Sequence, residues 1–212
     1  KALDIIIRTC SSVNMLTQNK TRLFEKEKID YTLRTIVSLL NSVLDPQLNR
    51  LKINFKVIDH NSSSQNLEKI ENIFKKFKTK YLLINLDVTK FKDKINEINH
   101  RGDKVTSNQI SNMANIHQSL LEAKKCDDLV YFVEDDYLHK KDSLKEMIFT
   151  YERIASQINN DIIICPADYP YLYAKADLTQ NFLGHKYHWR KVQETLCTFL
   201  TSRKLIDTYW DK

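Results

Sequence analysis

Glu134, Asp135 and Asp136 are three adjacent carboxylates at the end of the apolar run Leu129-Val130-Tyr131-Phe132-Val133. Like charges this close repel one another and resist burial, so a strand that delivers them to its C-terminal end needs a compensating cation. A hard divalent ion with oxygen ligands, bound to a substrate diphosphate, is the usual reason for carboxylates at a strand end in an α/β protein. An acidic loop left in solvent after a core strand is the competing reading. Glycine narrows the chemistry further. The chain has only Gly102 and Gly184, which excludes both the GxGxxG dinucleotide turn and the GxxxxGK(S/T) phosphate loop. Any nucleotide must therefore be held by side chains and a metal.

The elements that position these groups read as alternating strands and helices. Leu3 to Cys10 is a short β-branched run with the pattern of a buried strand. Ile29, Leu33, Ile36, Val37, Leu40, Val43 and Leu44 fall on one helical face, and Pro46 ends that helix. Lys52 to Asp59 alternates as a second strand and runs into the polar turn from His60 to Ser64. Leu67, Ile70, Ile73, Phe74 and Phe77 mark a second helix, and Tyr81 to Leu86 a third strand. Val88 to Ser107 lacks a period and reads as a loop-rich connection. Ile110, Met113, Ala114, Leu120 and Leu121 define a helix leading into the acidic strand. Asp142 caps the next helix, with Leu144, Met147, Ile148, Tyr151 and Ile154 on one face, and Ile162 to Cys165 forms a further strand. Repeated β-α units imply a mainly parallel sheet covered on both faces, with ligands at the C-terminal strand ends.

Composition sets outer bounds. With 212 residues, 42% hydrophobic and 28% charged, the chain is an ordinary globular one, large enough for a real core. No apolar run approaches the roughly 18 residues that span a bilayer, and Lys1-Ala2-Leu3-Asp4 leads straight into a strand, not a signal segment. Cys10, Cys126, Cys165 and Cys197 have no CxxC spacing, so buried thiols in a reducing, cytoplasmic compartment are expected. The net charge of +6, with clusters at Lys75-Lys76-Phe77-Lys78 and Lys90-Phe91-Lys92, favours an anionic substrate or nucleic acid.

The order of these motifs resembles a GT-A-type nucleotide-sugar glycosyltransferase, in the style of the large family-2 group. Arg8-Thr9-Cys10 is similar to the end of that fold's opening strand, which lies against the nucleotide base. Val57-Ile58-Asp59-His60-Asn61-Ser62 resembles its second strand, whose terminal acid commonly contacts the nucleoside. Asn112 to His117, then Ala123 to Asp128 and the acidic strand, resemble the helix-strand unit before the metal-binding DxD motif, here Glu134-Asp135-Asp136, an ExD variant. The resemblance runs from about Leu3 to Ile164. It implies an α/β GT-A fold over a single domain, 1–212, with a nucleotide-binding part at about 1–138 and an acceptor-side part at about 139–212.

The resemblance also implies roles. Asp136 is the expected ligand of Mn²⁺ or Mg²⁺, which would stabilise the charge of a nucleoside diphosphate leaving group. Glu134 would hold the ribose or a metal-bound water, and Asp135 either. His185 or His188, in Gly184-His185-Lys186-Tyr187-His188-Trp189-Arg190, would supply a further metal ligand, and Arg190 would clamp the diphosphate. Asp59, Arg8, Thr9, Lys104 and Asn112 complete the expected nucleotide contacts, with Asn115 beside Asn112. The competing readings are that Arg8 neutralises Asp59 or another acid, and that Asp59 caps the turn after its strand. An inverting enzyme needs a carboxylate base, for which Asp168 is the first candidate and Glu194 the second. Tyr169, Tyr171, Tyr173, Trp189 and Trp210 offer aromatic faces to an acceptor.

The expected activity is metal-dependent sugar transfer from a UDP- or GDP-sugar to an acceptor hydroxyl, such as that of a glycan. Three other readings compete: a nucleic-acid-binding protein, a glycosyltransferase acting on modified DNA bases, and a sugar nucleotidyltransferase. The basic isoelectric point of about 9.0 favours the first of these and the acidic strand end opposes it. The last lacks a Gly-rich phosphate loop.

Overall fold

Runs of β-branched residues with no polar alternation build the centre of the molecule. The computed structural model describes residues 1–12, 26–99, 102–174 and 178–211. β1 (Ala2–Thr9) is buried along its whole length because helices cover both faces of its sheet. Leu3, Ile5 and Ile7 enter one core with Ile36, Leu39 and Leu40 of α1 (Lys28–Val43), Ile70 and Phe74 of α2 (Ser64–Lys76), and Leu144, Met147 and Ile148 of α4 (Ser143–Ile158). Ile6 enters a second core on the other face, with Ala114 and Ala123 of α3 (Ser107–Ala123).

β2 (Lys52–Asp59) and β4 (Leu129–Glu134) flank β1 in parallel, and β3 (Leu82–Asn85) extends the sheet beyond β2. β7 (Phe199–Ser202) pairs with β4 antiparallel, which gives the five-stranded order β3-β2-β1-β4-β7. This is an α/β fold with one mostly parallel central sheet flanked by helices, as the β-α alternation predicts. β5 (Asn181–Leu183) and β6 (His188–Arg190) form a separate antiparallel hairpin, and α5 (Arg203–Thr208) follows β7. No helix among the described residues is long and apolar enough to cross a membrane.

The structure departs from the sequence reading mainly in the second half. Ile162 to Cys165 is not a strand: only Ile164 bridges, antiparallel, to Leu200. The ladder goes to Phe199–Ser202, whose apolar residues lie against β4. Asp142 sits at the N-cap of α4 but makes no capping bond. Its carboxylate lies 3.1 Å from Lys186 Nζ. The connection after β3 holds a 3₁₀ helix (Val88–Lys94) and an Ile98–Lys104 bridge, while His100 and Arg101 in the same stretch lie outside the described residues. All four cysteines are free, but only Cys126 is fully buried and the other three are half-exposed.

Candidate active site at the carboxyl ends of the strands

Parallel register brings the sequence motifs together. β1 pairs with β4 so that Arg8 stands opposite Glu134, and with β2 so that Thr9 stands opposite Asp59. Strand alternation turns Arg8 toward α3. There its Nη1 donates to Asn112 Oδ1 at 3.1 Å and its Nη2 meets Glu134 Oε1 at 2.9 Å. The arginine side chain is 6% exposed, so an unpaired guanidinium would be costly, and Glu134 answers it. Burial raises the Glu134 carboxyl above the ordinary carboxylate range; Arg8 counters this, and Asp136 and Asp135 add to it. The backbone N–H of Glu134 also donates to Thr198 Oγ1 at 3.1 Å, which ties the start of the triplet to the segment entering β7.

Asp135 is held from the opposite face. Lys28 Nζ, in the first turn of α1, lies 2.5 Å from its Oδ1, and Thr32 Oγ1 donates to its Oδ2 at 2.9 Å. Both partners of the ion pair are 10% exposed. Burial pushes the Asp135 carboxyl pKa up, and Lys28 pulls it back. Asp136 differs in kind. Its carboxylate is 46% exposed, and its ion-pair partner among the described residues is Lys28 Nζ at 3.9 Å. The compensating cations demanded by three adjacent carboxylates are thus two side chains of the chain itself, Arg8 and Lys28. Asp136 is the most exposed of the three.

The neighbouring turn is built around Asp59. Its carboxylate accepts from Thr9 Oγ1 at 2.7 Å, from the Ser62 N–H at 3.0 Å and from Ser62 Oγ at 2.6 Å. Asp59 is almost wholly buried, and these bonds make it the organiser of the turn after β2. Arg8 pairs with Glu134 and not with Asp59 because the two acids stand opposite different residues of β1. Asn115 donates to the Ile58 carbonyl at 3.1 Å, and its own Oδ1 is buried without a partner. Lys104 is exposed on the loop leading into α3.

The remaining sequence candidates divide between two places. Asp168 is gripped by Arg190, whose Nη2 lies 2.7 Å and Nε 3.1 Å from Oδ1, and it accepts a hydrogen bond from Tyr173. Arg190 also lies 4.3 Å over the Tyr173 ring. Arg190, then Tyr173, hold the Asp168 carboxyl below the usual carboxylate range, which makes it a weak proton acceptor in this arrangement. Tyr169, the next residue, hydrogen-bonds Tyr137 directly after the triplet, so this aromatic segment borders the acidic strand end. Tyr169 and Tyr171 stack at 5.9 Å. Glu194 is exposed on the chain leading to Thr198.

His185 and His188 belong to the β5-β6 hairpin and its turn, which is seated on α4. Glu146 of α4 accepts from the N–H groups of Lys186 and Tyr187 at 2.8 and 3.2 Å and from Trp189 Nε1 at 3.1 Å. The His185 ring lies against Phe149, and both histidines are exposed. Among the described residues, no three His, Cys, Asp or Glu side chains are grouped so as to hold a metal ion. The two tryptophans among the proposed aromatic platforms also have partners: Trp189 hydrogen-bonds Glu146, and Trp210 lies under Lys124 Nζ at 4.1 Å.

Lys28, Thr32 and Thr198 were not singled out from the sequence. One signal for Lys28 exists. A lysine in the first turn of a helix opposes the helix dipole, which favours negative charge there, so a buried acid is needed to justify it. Thr32 and Thr198 carry no such mark.

No family model and no curated protein sequence matches the chain. Among solved structures, the crystal structure of S. aureus TarS, a glycosyltransferase, is similar at a TM-score of 0.39 and 15% identity. The match covers 72% of this chain and 20% of TarS, so the chain spans about a fifth of that protein's length.

Proposed function

We propose that the chain is a glycosyltransferase unit that binds a nucleoside-diphosphate sugar at the carboxyl ends of β1, β2 and β4, with a divalent ion at Asp136. The observation that carries this reading is the division of labour within the acidic triplet. Glu134 and Asp135 are closely paired with Arg8 and Lys28, whereas Asp136, with only a long 3.9 Å pairing to Lys28 among the described residues, is the most exposed of the three toward a ligand. One exposed carboxylate suits Mg²⁺ or Mn²⁺, because these hard ions are commonly held by one or two carboxylates with the rest of the shell from phosphates and water. The residues present fit such an ion at Asp136; bound there, it would neutralise charge growing on the departing diphosphate.

The chain's own part is positioning. Arg8, fixed by Glu134 and Asn112, sets the floor between β1 and β4. The Asp59 turn shapes the wall beside β2, where the nucleoside would lie. Tyr169 and Tyr171, bordering the triplet through Tyr137, offer faces on which an acceptor sugar can stack. Asp168 would serve as base only after release from Arg190, and Arg190 would then be free to meet phosphate.

Calorimetry of UDP and GDP tests the proposal directly. Binding is expected with Mn²⁺ and is expected to vanish in excess EDTA or in Asp136→Asn, which keeps the shape and removes the charge. Undiminished affinity of Asp136→Asn in the presence of Mn²⁺ would overturn the assignment.

A further inference from the structure

The opposite end of the sheet carries a second feature, unconnected with the triplet. Lys52 begins β2 and Asp59 ends it, so this region lies about 23 Å from the proposed donor site at the rise of an extended chain. An open groove of about 830 Å³ runs there beneath β2 and the edge strand β3. Its volume is in the range of small-molecule clefts. Lysines dominate its walls: Lys52, Lys56, Lys78, Lys80 and Lys125.

The acids in this region are already matched. Asp127 lies 3.7 Å from Lys52, Asp4 lies 3.9 Å from Lys56, and Glu122 is shared between Lys56 at 3.7 Å and Lys125 at 2.6 Å. Lys78 and Lys80 are exposed and have no acidic partner among the described residues. Their backbone is fixed. Lys78 sits in the left-handed region at φ 52°, where glycine is the usual residue after a helix. The turn is closed by N–H donation from Lys78 to Lys75 O and from Thr79 to Phe74 O, both at 3.0 Å. Beside them, Leu82 is 54% exposed and Tyr81 is partly exposed, with its ring stacked 4.2 Å from Phe74. With Asp4 and Asp127 the acids of the lining and five lysines opposite them, the groove keeps an excess of positive charge, which concentrates anions, and lysine is a standard phosphate partner.

We propose that this groove binds a small phosphorylated molecule, with its phosphate at Lys78 and Lys80 and its carbon skeleton against Tyr81 and Leu82. The site is separate from the donor site and does not depend on a divalent ion. It assigns a function to part of the lysine cluster that the active site leaves unused.

Calorimetry with phenyl phosphate in EDTA tests it, since that probe carries both the charge and the apolar ring. Binding is expected in the wild type and in Asp136→Asn. The Lys78→Ala/Lys80→Ala double variant, whose residues are exposed and outside both cores, should lose at least tenfold in affinity. Equal affinity in that variant would overturn the proposal. So would an equal loss in Lys75→Ala/Lys76→Ala, because the effect would then be the diffuse field of the helix end. Binding of a single-stranded oligonucleotide without binding of phenyl phosphate would likewise overturn it, in favour of a polymeric partner.

Discussion

Lys28 and Asp135 show how one pair decides the state of the acidic strand end. Asp135 would not stay ionised in its buried position without a cation, and Lys28 supplies it at 2.5 Å. Lys28→Met removes that cation and leaves an uncompensated buried carboxyl, so a loss of about 3 kcal/mol in unfolding free energy is expected. Asp135→Asn in the same background should recover much of it. Urea denaturation of the two variants checks this, and equal stability of Lys28→Met and wild type would show the pair to be dispensable. A second residue makes a pH-dependent contribution. His139 Nε2 and Tyr131 OH share a hydrogen bond at 2.8 Å, and the imidazole is largely buried. Burial lowers its pKa from 6.5 to about 4. The unfolded chain therefore binds the proton more readily, so stability is lost as pH falls from about 6.5 toward 4 and is unaffected by this group above that window. The full effect is about 3 kcal/mol, from 1.36 kcal/mol per pKa unit. Glu134 and Asp135, with raised values, act in the opposite sense at acid pH. Comparison of the wild type with His139→Gln at each pH cancels them, and the difference between the two proteins should shrink as the pH is lowered.

Elements differ in what holds them. The central strands are enclosed by two apolar cores, whereas the β5-β6 hairpin touches one of them only through Trp189 and is otherwise held by polar bonds, mainly to Glu146, and by a close approach at Gly184. A Cβ at Gly184 would lie 2.4 Å from Trp189 Cδ1 and 2.6 Å from Thr150 Oγ1. Neither the indole, held by Glu146, nor the hydroxyl, which accepts from the His185 N–H, can withdraw freely. Gly184→Ala is expected to cost about 1–3 kcal/mol, the range for overpacking. Trp189 fluorescence in a Trp210→Phe background would report the displaced hairpin, and an unchanged spectrum and melting temperature would contradict the packing argument. The turn after β2 behaves differently: two of its hydrogen bonds to Asp59 come from Ser62 within the turn and the third from Thr9 on the neighbouring strand, and together they make that acid a structural part of the strand end whatever ligand lies above it.

At the scale of the molecule, the proposed donor site gathers residues from β1, β2, β4, α1 and α3, so its ligand contacts should stabilise the sheet as a unit. A ligand bound only to the folded state at one hundred times its dissociation constant adds about 2.7 kcal/mol. UDP or GDP with Mn²⁺ is expected to raise the melting temperature by several degrees, and either component alone by much less. A thermal-shift screen over nucleotides and divalent ions measures this, and equal shifts with and without the ion would remove the metal from the proposal. The neighbourhood of the triplet also explains why three acids can be tolerated there: two are already neutralised inside the fold before any ligand arrives.

The sequence alone determined the alternation of strands and helices as far as β4, because period-2 and period-3.6 patterns are local and strong there. It also determined that the acidic triplet ends a strand, since an apolar run followed by three carboxylates admits little else. Tertiary structure decided which acid meets which cation. Arg8 faces Glu134 because β1 and β4 pair in that register, and nothing local to either strand states the register. Lys28 reaches Asp135 across 107 residues of chain. Ile162 to Cys165 reads as a strand, but Phe199–Ser202 takes that place, since edge pairing depends on which segment can return antiparallel to β4. The hairpin was illegible for a related reason: its strands are three residues long, and their anchor, Glu146, lies on a distant helix. Patterns along a chain encode burial, whereas charge pairing and edge order are set by distances that exist only once the sheet has formed.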